Sequence, residues 1–429
     1  MGTFGLKIAL TCLSMLTSLV LARVLGVAGY GTYTYTMAWI SLLSIPAQFG
    51  LDRLLVRNMA AYQAQGAWGL MRGLLRWADL VVLSVSLGMA LLTMAVAWVL
   101  VERWHMQAFS ALWVVPLILP LLSLMGLKSG ALQGLHHVVV SRLPEMLLRP
   151  LAFLVFIGGA YVFLGGRLSV DWAVAMNALA VGVSLLITVY LLRQRFPQSA
   201  KEAIPTYQTP AWVRSALPLT LIGGMNVINH RFDTLMLGAL VGPEAVGIYN
   251  VANRGAQLIL FIQTTVNLVL APTIASLYAS GNMLRLQRVI TKSSRVVLLV
   301  SLTSAIILVV FGSEFLSLFG SEFQQGYRTL FILSVGMMLN AAAGAVNVIL
   351  IMTKYERDAA VGVGASAGLN VLLNAAFIPQ WGAEGAALAT AISMIVRNLA
   401  LALWVYRKLG IHSTALGSMR LPKKAPSLP

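Results

Sequence analysis

Long uncharged apolar stretches recur from one end of this 429-residue chain to the other, separated by short polar connections. A helix that crosses a bilayer needs about 20 mostly apolar residues. Twelve stretches qualify: 6–26, 30–51, 78–101, 108–134, 145–165, 170–192, 215–241, 246–275, 295–313, 327–352, 359–379 and 384–406. All are too long and too evenly apolar for barrel strands of about ten alternating residues, so all read as helices. Pro46, Pro116, Pro120 and Pro272 fall within or near their ends, where packed neighbours make a loosened turn tolerable. The pattern predicts an all-α polytopic membrane protein of about 12 transmembrane helices.

Two connections are longer. Residues 52–77 alternate Arg53, Arg57, Arg72 and Arg76 with leucines and Trp77, as expected of an amphipathic helix lying on the membrane. Residues 193–214, with Pro197, Pro205 and Pro210, read as a linker between a first six-helix lobe (1–192) and a second (215–407). Residues 408–429 read as a basic, disordered cytoplasmic tail.

Composition then narrows the class. Hydrophobic residues make up 59% of the chain and charged residues 10%, too few to cover a water-facing surface. The net charge of +17 is basic, but nucleic-acid binders carry such charge on soluble surfaces, and no nucleic-acid partner is expected. With Cys12 alone, neither a disulfide within the chain nor a Cys-based metal site is available, and no cofactor is called for.

The charges also orient the spans. Numbering the connections alternately puts 23 Lys and Arg on the side of the N-terminus and three, Arg103, Arg167 and Arg328, on the other. Positive loops stay inside, which predicts cytoplasmic N- and C-termini. Lys7 followed by an apolar stretch has some likeness to a signal peptide, but the same stretch recurs later in the chain. Leu21-Ala-Arg-Val-Leu-Gly26 with Gly31 and Tyr33 matches Leu237, Gly242, Gly247 and Tyr249 at a constant offset of 216 residues. Six spans per repeat is an even number, so the halves are expected to be parallel repeats, with substrate held between them as in transporters. Two glycine-rich turns coinciding by chance is the plainer alternative.

Polar residues inside spans are costly and are the default functional candidates. Asn226, Asn229, His230 and Asp233 share one face of span 7, and Asn250, Asn253, Arg254 and Gln257 one face of span 8. Span 10 offers Asn340 and Asn347, span 11 Ser366, Asn370 and Asn374, and span 12 Thr390, Ser393 and Arg397. Interhelical hydrogen bonding that merely holds the bundle, often worth only about 0.6–2 kcal/mol per bond, is the plain reading of each. Together the stripes suggest a wet cavity whose amides come mostly from the second half. The first half offers hydroxyls: Ser14, Thr17 and Ser18 in span 1, and Thr32, Tyr33, Tyr35 and Thr36 in span 2. Neutral donors and acceptors of this kind suit a sugar. Arg23, Arg231, Arg254 and Arg397 lie within or near span ends, against one well-embedded acid, Asp233. That ratio favours an anionic passenger, and guanidinium matches phosphate oxygens through paired donors. Arg23 can instead snorkel to the interface, and Asp233 can neutralise an arginine rather than couple transport.

These residues carry a family likeness. Leu-Ala-Arg23-Val-Leu-Gly26 with Gly31-Thr-Tyr33, Phe49-Gly-Leu-Asp52 with Leu55-Val-Arg57, Arg231-Phe-Asp233 with Leu237-Gly238 and Val246-Gly-Ile-Tyr249, and Asn374, Ile378-Pro379 and Gly382-Ala-Glu-Gly385 occur in order over residues 5–408. Together they resemble the polysaccharide-transporter branch of the multidrug/oligosaccharidyl-lipid/polysaccharide (MOP) exporter superfamily, which includes O-antigen-type flippases of bacterial inner membranes. The resemblance implies two six-helix lobes, alternating access, and an undecaprenyl-pyrophosphate-linked oligosaccharide, an O-antigen or exopolysaccharide repeat unit, moved to the periplasmic leaflet. It implies that Arg254, Arg397, Arg231 and Arg23 hold the pyrophosphate and that the amides hold the sugars. Asp233 and His230 become candidates for coupling to a proton or sodium gradient, and polysaccharide polymerase or assembly proteins become expected partners beside membrane lipid. Two departures stand out: twelve spans rather than the fourteen usual in relatives that move peptidoglycan precursor, and an almost immediate entry into span 1, as from a trimmed or misassigned start.

A cation-coupled multidrug exporter of the same superfamily would need more intramembrane carboxylates than Asp233 supplies. A membrane-embedded polymerase or ligase would need a catalytic acid, base or metal motif. His136-His137 reads instead as a solvated loop pair.

Overall fold

The computed structural model describes residues 2–99, 115–166 and 168–415, without the side chains of 2–4, 6, 222 and 226. Residues Met1–Glu244 form one compact unit and the chain from Ala245 onward a second.

The first unit holds α1 (Gly2–Gln48), α2 (Leu51–Gln65), α3 (Trp68–Trp98), α4 (Val115–Gly134), α5 (Val138–Leu143), α6 (Arg149–Phe163), α7 (Val170–Arg195), α8 (Gln198–Glu202) and α9 (Thr209–Leu240). At the division begins α10 (Pro243–Gln257). The second unit continues with α11 (Phe261–Ala279), α12 (Met283–Val310), α13 (Gly312–Ser317), α14 (Tyr327–Ala342), α15 (Val346–Met352) and α16 (Glu356–Leu409).

Among the described residues, nine helical stretches are long and apolar enough to cross a membrane. Two of these hold a pair of spans each. α1 is broken at Gly26 (φ 68°, ψ −178°) and α16 at Gly382 (φ 52°, ψ −124°), backbone conformations that a β-carbon disfavours. The Gly26 break falls on the last residue of the predicted first span, and the Gly382 break within the predicted connection 380–383. α9, at 32 residues, is also long enough to cross. Nine stretches, two internal breaks and α9 account for the twelve predicted helices. Leu80, Leu91, Val155, Val162, Leu186 and Leu299 are among the large apolar side chains left exposed, as lipid-facing positions should be.

The local signals are ordinary ones. Ser169 caps α7 by accepting from the Trp172 amide at 3.5 Å, with Asp171 in the first turn and Arg193 and Arg195 in the last, matching the helix dipole. Gly66, left-handed at φ 65°, ends α2 before α3 begins.

Three expectations change. The amphipathic segment 52–77 is not one surface helix: α2 stops at Gln65, and Trp68–Trp77 opens the third span. Its apolar face, Leu51, Leu54, Leu55 and Met59, is buried against Met71, Leu74, Leu127 and Ala131 rather than among lipid headgroups. Small residues make this possible. A β-carbon at Gly130 would lie 2.5 Å from the Asp52 carbonyl oxygen and one at Gly134 2.8 Å from that of Leu55, so α4 admits α2 at backbone distance.

The linker 193–214 is likewise not a free tether. It includes α8, and Thr206 donates its amide to the Gly69 carbonyl at 3.0 Å. Arg72 donates to the Ala203 carbonyl at 2.8 Å. Trp212 is buried, its indole N–H on the Tyr62 hydroxyl at 2.9 Å. α9 packs on α1 and α2, so the compact units divide at Glu244 rather than within 193–214.

The tail also begins in ordered form. Ile411, Ser413 and Ala415 are buried after the left-handed cap Gly410, held by α12 through Gln287, Ser294 and Arg295. The remainder of the tail, 416–429, lies outside the described residues, as do Arg103 and Arg167.

Candidate functional site

In the second unit the polar stripes meet. Asn340 of α14 is 8% exposed, and its side-chain oxygen accepts from Asn398 Nδ2 at 2.6 Å and from an Arg397 guanidinium nitrogen at 3.4 Å. Its amide nitrogen donates to Gln263 Oε1 at 3.0 Å, and Gln263 donates onward to the Gly344 carbonyl at 3.4 Å. Both acceptor sites of the Asn340 oxygen are therefore occupied. One asparagine ties α14, α16 and α11 together.

A second chain of bonds joins the two halves of α16. Asn374 donates to Asn370 at 3.0 Å, and Asn370 to the Ser393 hydroxyl at 3.4 Å. Ser366 donates to the Ser393 carbonyl at 3.1 Å. The Ser393 hydroxyl donates to the Thr390 carbonyl at 3.0 Å, and the Thr390 hydroxyl meets that of Tyr249 at 3.2 Å. Asn374 is fully buried. Stripes at helical spacing on adjacent spans turn toward one another, because in lipid a polar face has no better partner.

Other candidates are less buried. Arg254 and Gln257 of α10 are exposed, as is Asn347 of α15, while Asn250 and Asn253 are half-buried. Asn250 donates back to the Val246 carbonyl of its own helix at 2.9 Å. Arg254 lies eleven residues into α10, about 16 Å along the helix axis, within a stretch long and apolar enough to cross a membrane. A guanidinium exposed on such a stretch needs water rather than lipid around it. Arg397, fifteen residues and about 22 Å beyond the Gly382 break, lies within the last span and is half-buried.

In the first unit, α9 leaves His230 exposed and Asn229, Arg231 and Asp233 half-buried, while the side chain of Asn226 lies outside the described residues. Arg23 is exposed, three residues before the Gly26 break. The hydroxyls expected to meet sugar turn back on their own helix: Thr17, Ser18, Thr32 and Thr36 each donate to a carbonyl four residues earlier, at 2.8–3.0 Å.

The sequence pattern missed three participants. Asn398 adjoins Arg397 but sits about 100° around the helix from it, off the Thr390–Ser393–Arg397 stripe. Gln263 follows the 3₁₀ turn Leu258–Leu260, which shifts the register that the α10 stripe sets. Arg149, counted only toward orientation, donates to Asn177 Oδ1 at 3.3 Å, and Asn177 in turn donates to the Tyr33 hydroxyl at 2.8 Å. Among the described residues no group of three or more His, Cys, Asp or Glu is placed to hold a metal ion. The chemistry offered is neutral hydrogen bonding plus guanidinium on helices long and apolar enough to span a membrane.

Comparison with known proteins bears on that chemistry. The model of a family described as polysaccharide biosynthesis protein matches residues 3–278, well over half the chain. The chain belongs to this family. A second model, MatE, matches residues 225–376. The probable flippase AglR of Haloferax volcanii is 25% identical over 286 residues, 63% of this chain. Those residues span 56% of AglR, little more than half its length. Among solved structures, an inward-facing multidrug resistance MATE family transporter of the MOP superfamily superposes with a TM-score of 0.71 at 14% identity, covering 90% of this chain and 93% of its own. The lipid II flippase MurJ in an inward closed conformation gives 0.71 at 12% identity, over 94% of this chain and 87% of its own. The fold is thus that of the MOP superfamily, and the sequence resemblance to its polysaccharide branch holds.

Proposed function

We propose that this protein is a flippase that moves a polyprenyl-pyrophosphate-linked oligosaccharide across the membrane by alternating access. Membership of the polysaccharide biosynthesis family, with a probable flippase among its relatives, supports the reaction class. The observation that carries the passenger's chemistry is Arg254, an exposed guanidinium about 16 Å along a membrane span. A planar fork of donors within a span suits a pyrophosphate drawn into the membrane while its lipid tail stays in the bilayer. The half-buried amide Asn253 and the exposed amide Gln257 of the same helix would meet the first sugars. Asn340, bonded to Asn398 and Gln263, would hold the frame that keeps Arg397 in place, and Asn374 and Asn370, bonded to each other and to Ser393, would brace the two halves of α16. In this reading the carrier is undecaprenyl, the glycan an O-antigen or exopolysaccharide repeat unit, the membrane a bacterial inner membrane, and the termini cytoplasmic, as the positive-inside count suggests.

The MatE match and the MATE-like fold are what favour the rival reading, a cation-coupled drug exporter. One embedded acid against several embedded arginines speaks for an anion instead.

The test is reconstitution of the full chain in liposomes with a fluorescent polyprenyl-pyrophosphate oligosaccharide, following its exposure to a membrane-impermeant lectin or quencher. Arg254→Ala is expected to abolish flipping with the melting temperature unchanged. Full activity in that variant, or transport of organic cations in place of the glycolipid, would overturn the proposal.

A further inference from the structure

The cation-rich end of the first unit contains a cavity of about 630 Å³ bordered by Arg72, Arg76, Asp79, Lys128, Arg193 and Lys201. α3, α4, α7 and α8 contribute these side chains. The lone acid is already matched: both Asp79 carboxylate oxygens accept from Lys128 Nζ at 2.6 Å. Arg72 gives one nitrogen to the Ala203 carbonyl and keeps the rest of its donors. Arg76, Arg193 and Lys201 are exposed. Four cations thus surround one concavity with no carboxylate left to offset them. Such an arrangement repels itself unless an anion of comparable charge occupies it.

The surroundings say which kind of anion. On the face of α3 that carries Arg76, the next turns present Leu80, Leu83 and Leu87, which are 68%, 41% and 48% exposed. On the face of α7 that carries Arg193, the preceding turns present Leu186, Val183 and Leu179, likewise exposed. α4 packs against both α3 and α7 and so lies between them. Its own row runs from Lys128 through Leu124 and Leu121 to the exposed Leu117. The basic cleft therefore opens onto a trough with apolar walls and an apolar floor, running into the membrane. A free phosphate needs no such trough. A lipid does, with its head among the cations and its chains along the leucines.

We propose that this cleft is a binding site for a resident anionic membrane lipid whose headgroup carries two phosphate charges, separate from the passenger that the protein moves. Basic pockets between transmembrane helices on the positive side recognise such headgroups. Four cations around a cavity with room for two phosphates favour a two-phosphate head over a singly charged or zwitterionic one. Nothing in this proposal depends on what is transported.

The probe is cardiolipin, titrated against phosphatidylethanolamine into the purified full chain in neutral detergent and read by native mass spectrometry. Cardiolipin is expected to bind at least tenfold more tightly, and Arg76→Gln with Arg193→Gln to remove that preference while the melting temperature holds. Lys201→Gln alone, on the short exposed helix α8, is expected to weaken binding severalfold and serves if the double variant does not purify. Equal binding of both lipids, or cardiolipin binding unchanged in the variants, would overturn the proposal. So would full competition by inorganic pyrophosphate, which would make the cleft a site for a soluble anion. Displacement of cardiolipin by polyprenyl pyrophosphate at equal concentration would also overturn it, making the cleft a port for the passenger.

Discussion

Tyr249 meets Thr390 hydroxyl to hydroxyl at 3.2 Å, tying the eighth span to the twelfth. Its counterpart in the repeat, Tyr33, accepts from Asn177 at 2.8 Å and so ties the second span to the sixth. Each tyrosine lies seven residues after a glycine of positive φ, Gly26 or Gly242. The partner positions also correspond, since Asn177 shifted by the 216-residue offset falls on Ser393, one helical turn from Thr390. The repeat is therefore one of packing as well as of letters. Each six-span repeat uses a tyrosine just past its first turn to hold its second span to its sixth. Tyr33→Phe and Tyr249→Phe are each expected to cost about 1 kcal/mol, the usual worth of a hydrogen bond between spans. Thermal unfolding in detergent reads this directly, and a melting point unmoved in both variants would remove the tyrosines from the frame.

Asn340 should be the most sensitive of the amides. Asn340→Leu removes the acceptor of Asn398 and Arg397 and the donor to Gln263, leaving three buried or half-buried polar groups without their partner. Orphaned buried groups cost about 1–3 kcal/mol each, so this variant is expected to lose several times more stability than Asn347→Leu, an exposed position. Equal losses in the two, measured by the same unfolding assay, would refute the network.

How much of this was legible beforehand depended on the kind of signal. Twelve spans could be counted because bilayer thickness sets a length that apolar runs must match. The turns at Gly26 and Gly382 were placed because span length left nowhere else for them. Whether a polar stripe faces a neighbour or a cavity was not legible, since that depends on the rotation of each helix about its axis. Asn340, Asn370 and Asn374 look like Asn253 and Gln257 in the sequence, yet the former pair within the unit while Asn253 is half-buried and Gln257 exposed. Docking of α2 and of the linker was hidden for another reason. It rests on glycines at Gly69, Gly73, Gly130 and Gly134, and an absent side chain leaves no hydropathy signal.

The linker makes the point testable. A β-carbon at Gly73 would lie 1.9 Å from the carbonyl oxygen of Thr206, a collision with backbone that no rotamer relieves. Gly73→Ala is expected to lift residues 203–208 off the start of α3 and to expose the bond after Lys201 to trypsin. Limited proteolysis compares the cutting rates. Protection equal to that of the unaltered chain would show that the linker is not held there.

Asp233 separates coupling from simple charge balance. It lies two residues from Arg231 on α9, about 160° around the helix, and both are half-buried. Asp233→Asn is expected to leave the protein folded and to remove the response of flipping to an imposed pH gradient in proteoliposomes. A response of undiminished size would assign the carboxylate to neutralising an arginine and end the case for proton coupling through it.

One side-chain amide makes two of the bonds that hold the start of the C-terminal tail. Gln287 of α12 is fully buried; its Nε2 donates to the His412 carbonyl and its Oε1 accepts the His412 backbone N–H, both at 2.9 Å. One side chain thus mimics a strand partner for one residue, while Ser294 and Arg295 bind the Ser413 and Ala415 carbonyls at 2.9 and 3.2 Å. Gln287→Leu keeps the volume but strips both bonds, leaving a buried peptide group unpaired at a cost of about 1–3 kcal/mol per group. Because Ser294 and Arg295 still grip their carbonyls, the expected result is local opening rather than global unfolding. The His412 amide should exchange with deuterium at least tenfold faster, with the helix interior of α12 unchanged. Exchange as slow as in the unaltered chain would mean that burial of Ile411 and Ser413, and not the glutamine, fixes the segment in place.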